Sequence, residues 1–248
     1  MTASPARRKS TGSLPAAGQK TTGSLMAAAP PSRLARVRRK PERARYDAAA
    51  VHAVLDAAPF CHVATVRDGR PVVLPMAHAR RGDTVILHGS VAAGLFRDMR
   101  RASPVCVTAT LLDGLVLARS ARNHSMNYRS VTVHGQAAPV TERDEVIDAM
   151  RALVEHLAPG RWERLRPLAA DELPETGLWQ VPIRDASVKS RAGSTIDPPA
   201  DQAWPVWAGH VPARLAFGRP VAAEALPDGV TPAAAGSLVN PAFGRRPG

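Results

Sequence analysis

The sequence predicts a mainly β, α+β domain. Three observations point there: short β-branched runs broken by Asp-Gly and Gly-Asp signals, two stretches at helical spacing, and no continuous apolar span. Strands first, then one short helix, more strands and a long helix fit several small barrels. With 248 residues the chain is long enough for one sizeable core with tails.

Met1 to Arg39 is Ala, Pro, Ser, Thr, Gly and Arg with almost no large apolar group, too little to offset chain entropy, and reads as a disordered basic tail. Tyr46 to Ala57 sets Val51, Val54 and Leu55 on one helical face, with Asp47 as N-cap. Cys61 to Val66, Pro71 to Ala79 and Thr84 to His88 read as consecutive antiparallel strands, separated by Asp68-Gly69 and Gly82-Asp83. Ala92 to Arg101 is a short helix with Leu95 and Met99 on one face, and Pro104 ends the connection after it. A strand over Val105 to Leu112, a turn at Asp113-Gly114 and a strand over Leu115 to Ala118 follow. Tyr128 to Val140 is the next strand, with Gly135 marking a bulge or a close approach. Thr141 with Asp144 three residues on opens a helix to Leu157 that repeats Val146, Met150, Leu153, Val154 and Leu157. Leu178 to Ile183 and Val206 to Phe217 read as late strands. The domain is therefore placed at 40–217, and 218–248 reads as a second, loose tail rich in Pro, Ala and Gly.

The formal charge of +12 is unevenly placed. Met1 to Lys40 holds nine Lys or Arg and no acid, whereas the remainder carries 24 basic and 21 acidic groups. A folded face that tracks phosphates needs a surplus the domain lacks, which argues against nucleic acid as its partner. Arg outnumbers Lys 29 to 4, a bias that a GC-rich coding sequence also produces. Cys61 and Cys106, with no CxxC pair, indicate neither a disulfide framework nor structural zinc, and a reducing, cytoplasmic setting is expected. No apolar run approaches the ~18 residues that span a bilayer. The first 40 residues lack a secretory apolar segment, although their Arg-rich, acid-free composition is also that of organellar transit peptides.

The stretches RPVVLPMA, VILHGS, VCVTATLLDGLVLARS, HSMNYRSV, EHLAPGRW and VWAGHVP occur in this order over about Lys40 to Pro212. Together they resemble the flavin-nucleotide-binding branch of the pyridoxamine 5'-phosphate oxidase-like split-barrel proteins, a branch that includes nitroimidazole-resistance proteins. The resemblance implies a split β-barrel with flanking helices and a homodimer holding FMN between subunits. The flavin phosphate would lie near the strand-to-helix turn and its ring near late strands.

Several residues then become site candidates. Gly89-Ser90, before a helix beginning near Ala92, offers free amides and a hydroxyl to a phosphate. Ala92-Ala93 stands where the family commonly has another Ser, so one contact is missing. Arg97 either reaches back toward the phosphate or joins Arg100 and Arg101 as a solvated basic face. In Asn127-Tyr128-Arg129-Ser130 a strand sends Tyr128 and Ser130 to one side and Arg129 to the other, so one face uses all three only if both subunits are served. By resemblance, Arg129 is a candidate for phosphate or ribityl contact and Tyr128 for the dimer or ring edge; the alternative is an exposed Arg beside a core Tyr. Lys189, the one Lys after Lys40, lies in ASVKSRAG, which resembles the family's flavin-contacting strand, where a cation would stabilise an anionic reduced ring. Backbone groups of Leu74, Pro75 and Met76 would address the pyrimidine end. Trp207, and less so Trp204, would stack near the ring or fill the barrel. His88 and His124 would donate protons, tune a flavin or ligate haem, the alternative cofactor, unless they are simply structural.

The function implied is an FMN-dependent oxidoreductase with hydride transfer to a small planar acceptor, nitroaromatics as an acceptor class and NAD(P)H as reductant. No catalytic side chain is singled out. Pyridoxamine phosphate oxidation itself is disfavoured, because that enzyme ends with an Arg and His pair for the substrate phosphate and no His follows Pro212 here. A hydrolase built from Ser125, His124 and Asp113 is also disfavoured, since neighbouring Ser and His rarely give the required geometry and no GxSxG turn occurs. Two other classes stay open: flavin or haem binding without turnover, as carrier, store or sensor, and a basic tail that tethers the domain to nucleic acid or anionic lipid.

Overall fold

The computed structural model describes residues 29–90, 94–101, 103–169, 172, 176–227, 229–230 and 238–245. In chain order the elements are β1 (Ala44–Arg45), α1 (Ala48–Ala57), β2 (Cys61–Arg67), β3 (Arg70–Met76), β4 (His78–Arg81), β5 (Thr84–Ser90), α2 (Gly94–Arg100), β6 (Pro104–Leu117), β7 (Ser125–Gln136), β8 (Ala138–Pro139), α3 (Arg143–Leu157), β9 (Thr176–Pro182), β10 (Asp185–Arg191) and β11 (Gly209–Pro212). They form a split-barrel α+β fold of two antiparallel sheets. One has the order β1-β10-β7-β6-β2-β3, with β11 also on β6; the other runs β4-β5-β9-β8.

Local chemistry sets the turns and caps. Positive φ at Asp68 (49°) and Gly69 (73°) folds β2 onto β3. Asp47 accepts from the Ala50 N–H and so caps α1. Alternation then sends Val63, Val107, Val131 and Val188 inward, where they meet Val51, Val54 and Leu55 of α1 and Leu95, Phe96 and Met99 of α2. A second cluster, Val146, Ala149 and Leu153 of α3 with Ala79, Ile86 and Leu178, seats the long helix on the smaller sheet. No helix among the described residues is long and apolar enough to cross a membrane.

The structure differs from the sequence expectation in several places. Asp113-Gly114 is a bulge inside the 14-residue strand β6, where a turn between two strands was expected. Glycine is needed there because β11 runs so close that a Cβ would meet the Val211 carbonyl at 2.6 Å. Gly135 marks a close approach, its Cβ position lying 3.3 Å from Val181. Thr141 does not cap α3, whose first turn begins at Glu142 without a side-chain bond. The late strand expected over Val206 to Phe217 is limited to Gly209–Pro212.

Most of 1–39 lies outside the described residues; the described parts on both sides of 40–217 make contacts with the domain. Ala35 is buried and the Val37 N–H donates to the Tyr46 hydroxyl (3.0 Å), so order begins before Lys40. Near the other end, Asn240 donates through its side chain to the His156 carbonyl and through its N–H to the Leu157 carbonyl, and the Gly244 N–H meets the Ala57 carbonyl. Phe243 packs edge-on to His156, whose ring lies 5.0 Å from that of His78. His78 is fully buried with Nε2 at the Leu55 carbonyl (3.1 Å); burial, and then His156 beside it, brings its pKa down to about 4.

Candidate functional site

The sequence candidates fall in three places. The first is the corner where β3 meets the end of β5. Gly89 has no side chain because Phe96 fills that volume, 2.6 Å from where a Cβ would be, and Phe96 in turn stacks on Trp179. Met76 reaches the same spot. Leu74, Pro75, Met76, His88, Gly89 and Ser90 therefore gather around one corner. β3 is a sheet edge in this protomer and open on both sides despite its apolar sequence. His88 is open to solvent, yet partial desolvation holds its imidazole below the usual pKa. Arg97 points outward from α2. The charged residue that turns inward is Asp98, bound by Arg67 through Nε (3.0 Å) and Nη2 (2.8 Å), which locks α2 to β2. Ala92-Ala93 lies outside the described residues.

The second place is the outward face of the larger sheet. Ser130 sits directly opposite Lys189 and Tyr128 opposite Arg191, so these side chains share one face. The Ser130 hydroxyl donates to the Lys189 carbonyl (3.3 Å), and no described carboxylate pairs with the Lys189 ammonium. Arg129 is not brought to this face. Its guanidinium lies against Asp113 (Nε 3.0 Å, Nη2 2.9 Å) and donates Nη1 to the Arg245 carbonyl (2.8 Å), a closed structural contact.

The third place is a shelf formed by β11, β6 and β7, where Val211, Leu115 and Met126 stand side by side. The six-membered ring of Trp207 lies against Gly209, 2.9 Å from where a Cβ would be, and the side chain is mostly exposed, outside the barrel core. His124 borders this shelf with Nδ1 2.9 Å from the Ser120 carbonyl, which directs Nε2 away from its own loop. Sequence reasoning passed over Arg43 and Arg191, which the pairing of β1 with β10 brings to one edge. No periodic or motif signal links residues so far apart.

The family described as Pyridoxamine 5'-phosphate oxidase matches residues 47–190. No curated protein matches the sequence. Among solved structures, the chain is similar to the flavocytochrome Anf3 from Azotobacter vinelandii, with 41% identity and a TM-score of 0.77 over 82% of this chain and 95% of that one. It is also similar to the FAD and haem binding protein from Mycobacterium smegmatis, with 32% identity and a TM-score of 0.74 over 79% of this chain and 98% of that one.

Proposed function

Because the chain belongs to the pyridoxamine 5'-phosphate oxidase family, we propose that it is a flavin-binding oxidoreductase that works as a homodimer. The observation that carries the reading is the separation of the candidates. The β3–β5 corner and the Tyr128–Ser130–Lys189 face are distinct and open on one protomer, as expected of a site completed by a second copy. The apolar edge strand β3, bare on both sides, supports the same pairing. The residue set suits FMN or FAD: the end of β5 at Gly89-Ser90 for phosphate, an apolar wall at Leu74–Met76 for the ring, and Lys189, which no described carboxylate pairs with, for its electron-rich edge.

A bound flavin would supply hydride transfer to a small planar acceptor, with nitroaromatics as the first class to try and NAD(P)H as the reductant. The protein's part is to hold the ring against β3, keep water from that wall and set a positive charge beside it. Two unpaired thiols, Cys61 buried and Cys106 partly so, support a cytoplasmic location.

Haem is a second ligand in this reading. It is favoured by the names of the two similar structures and by the shelf at Trp207, Leu115 and Met126. His124 would hold the iron: Nδ1 lies at a carbonyl and Nε2 has no hydrogen-bond partner among the described residues, the usual arrangement at a metal-bound imidazole. His88, also exposed, is the alternative. His78 and His156 do not fit, since each is buried with Nε2 against a carbonyl.

The test is the absorption spectrum of the purified protein, with mass spectrometry of what denaturation releases. Flavin bands with an FMN or FAD mass are expected, and a Soret band lost in His124→Ala would add haem. A colourless protein that takes up neither added FMN nor added FAD overturns the proposal. Bound flavin that neither NADH nor NADPH reduces would assign a carrier or sensor role instead.

A further inference from the structure

Two arginines that the flavin reading does not use sit together, and neither is ion-paired among the described residues. Arg191, the last residue of β10, is 8% exposed; its Nη1 donates to Asn127 Oδ1 (2.5 Å) and its Nη2 to the Ser194 carbonyl (3.0 Å). Those acceptors orient the guanidinium but carry no charge. Desolvation, and then the nearby Arg43, hold its pKa below the ordinary arginine value. Among the described residues no carboxylate pairs with either side chain. Of the neighbouring acids, exposed Glu42 lies 3.9 Å from Lys40, and Asp47 accepts from Nε and Nη2 of Arg45, both at 2.9 Å. A desolvated cation with a second cation beside it is unfavourable until an anion completes it.

The same two residues line a cavity of about 400 Å³ at the edge of β1 and β10, together with Arg45, Ser190, Ser194 and Thr195; Glu42 is the one acid in the lining, which leaves a surplus of positive charge. That is room for an anionic group and part of the molecule carrying it. Guanidinium forks match the paired oxygens of phosphate and carboxylate, and the serine hydroxyls add donors. Arg191 faces Tyr128 across the strand pair, so the cavity adjoins the Tyr128–Ser130–Lys189 face.

We propose that this cavity binds an oxyanion, the phosphate or carboxylate of a small organic molecule, with Arg43 and Arg191 as its two cationic contacts. The site stands independently of the flavin reading. Its occupant is either the anionic arm of a cofactor or a separate metabolite.

The test is calorimetric titration of the full-length protein as purified with inorganic pyrophosphate and with succinate. Arg43→Ser removes a half-buried cation that no described acid pairs with, and Arg151→Gln, an exposed arginine paired with Glu163 and outside the cavity lining, is the control. Saturable binding of at least one anion is expected, weakened about tenfold or more by Arg43→Ser and less than about twofold by Arg151→Gln, with unchanged melting curves. No saturable binding by the wild-type protein, or equal weakening in the two variants, overturns the proposal. Cofactor affinities of the same variants separate the sources. A loss for FAD beyond that for FMN identifies a dinucleotide arm, and a loss for haem that its dimethyl ester does not share identifies carboxylate arms. Normal cofactor binding beside lost pyrophosphate binding identifies a separate metabolite. Anion binding by a protein that takes up no flavin would sink the proposed function and leave this site standing.

Discussion

The two faces of the seven-stranded sheet carry the same kinds of side chain and meet different fates. Inward, Val63, Val107, Val131 and Val133 are sealed beneath α1 and α2; outward, Val66, Val73, Leu115 and Met126 remain 46–56% exposed. Apolar composition alone therefore does not say which face a protomer closes by itself. The helices cover one side of the sheet, and the other stays open in the single protomer.

Substitutions on the two faces should separate these roles. The largest effects belong to the inward charge pair and the core. Arg129→Met takes the bidentate guanidinium from a nearly buried carboxylate, Asp113, and should cost about 3 kcal/mol in urea unfolding, whereas Arg129→Met with Asp113→Leu should recover most of it. An equal cost in both variants would mean that the pair is solvent-screened and the two faces less distinct than described. Leu55→Ala, beneath the inward face, should cost about 3 kcal/mol through the cavity it opens.

Acid should act on the inner side next. His78 takes a proton near pH 6.5 when unfolded but only at about 4 when folded, so the unfolded chain binds more protons in between. Stability is then full above pH 6.5 and falls as pH drops toward 4; His156, also lowered by burial, adds in the same direction. His78→Gln should flatten that profile in denaturant titrations. The smallest effect on the protomer is expected outside: Val73→Asp should change its stability by less than about 0.5 kcal/mol. The same variant should abolish self-association in sedimentation. A stable Val73→Asp dimer would remove β3 from the proposed interface.

Most of the framework was legible because it rests on local chemistry. The α1 face and its Asp47 cap, the Asp68-Gly69 hairpin and the α3 periodicity each lie within a few residues of their cause. What failed was non-local. Asp113-Gly114 looks like a turn whether it makes one or makes a bulge, and the approach of β11 decides which. Arg129 looked available because strand parity cannot reveal that the bulge delivers Asp113 to its fork. Arg43 and Arg191 were passed over for the matching reason: only the pairing of β1 with β10 makes them neighbours. Of the candidate site, the β3–β5 corner and the Lys189 face were legible as motifs, while their separation on one protomer needed the sheet order.

The segment 238–245 joins parts of the chain made at very different times. It meets the last turn of α1 through the Ala57 carbonyl, the end of α3 through Leu157, and the β7 side chain of Arg129 through the Arg245 carbonyl. A ribosome delivers that segment after everything it clasps. Until it emerges, the nascent barrel lacks the contacts that 238–245 makes at two helix ends and has His156 without Phe243 over its ring, so this closure must follow synthesis through residue 245.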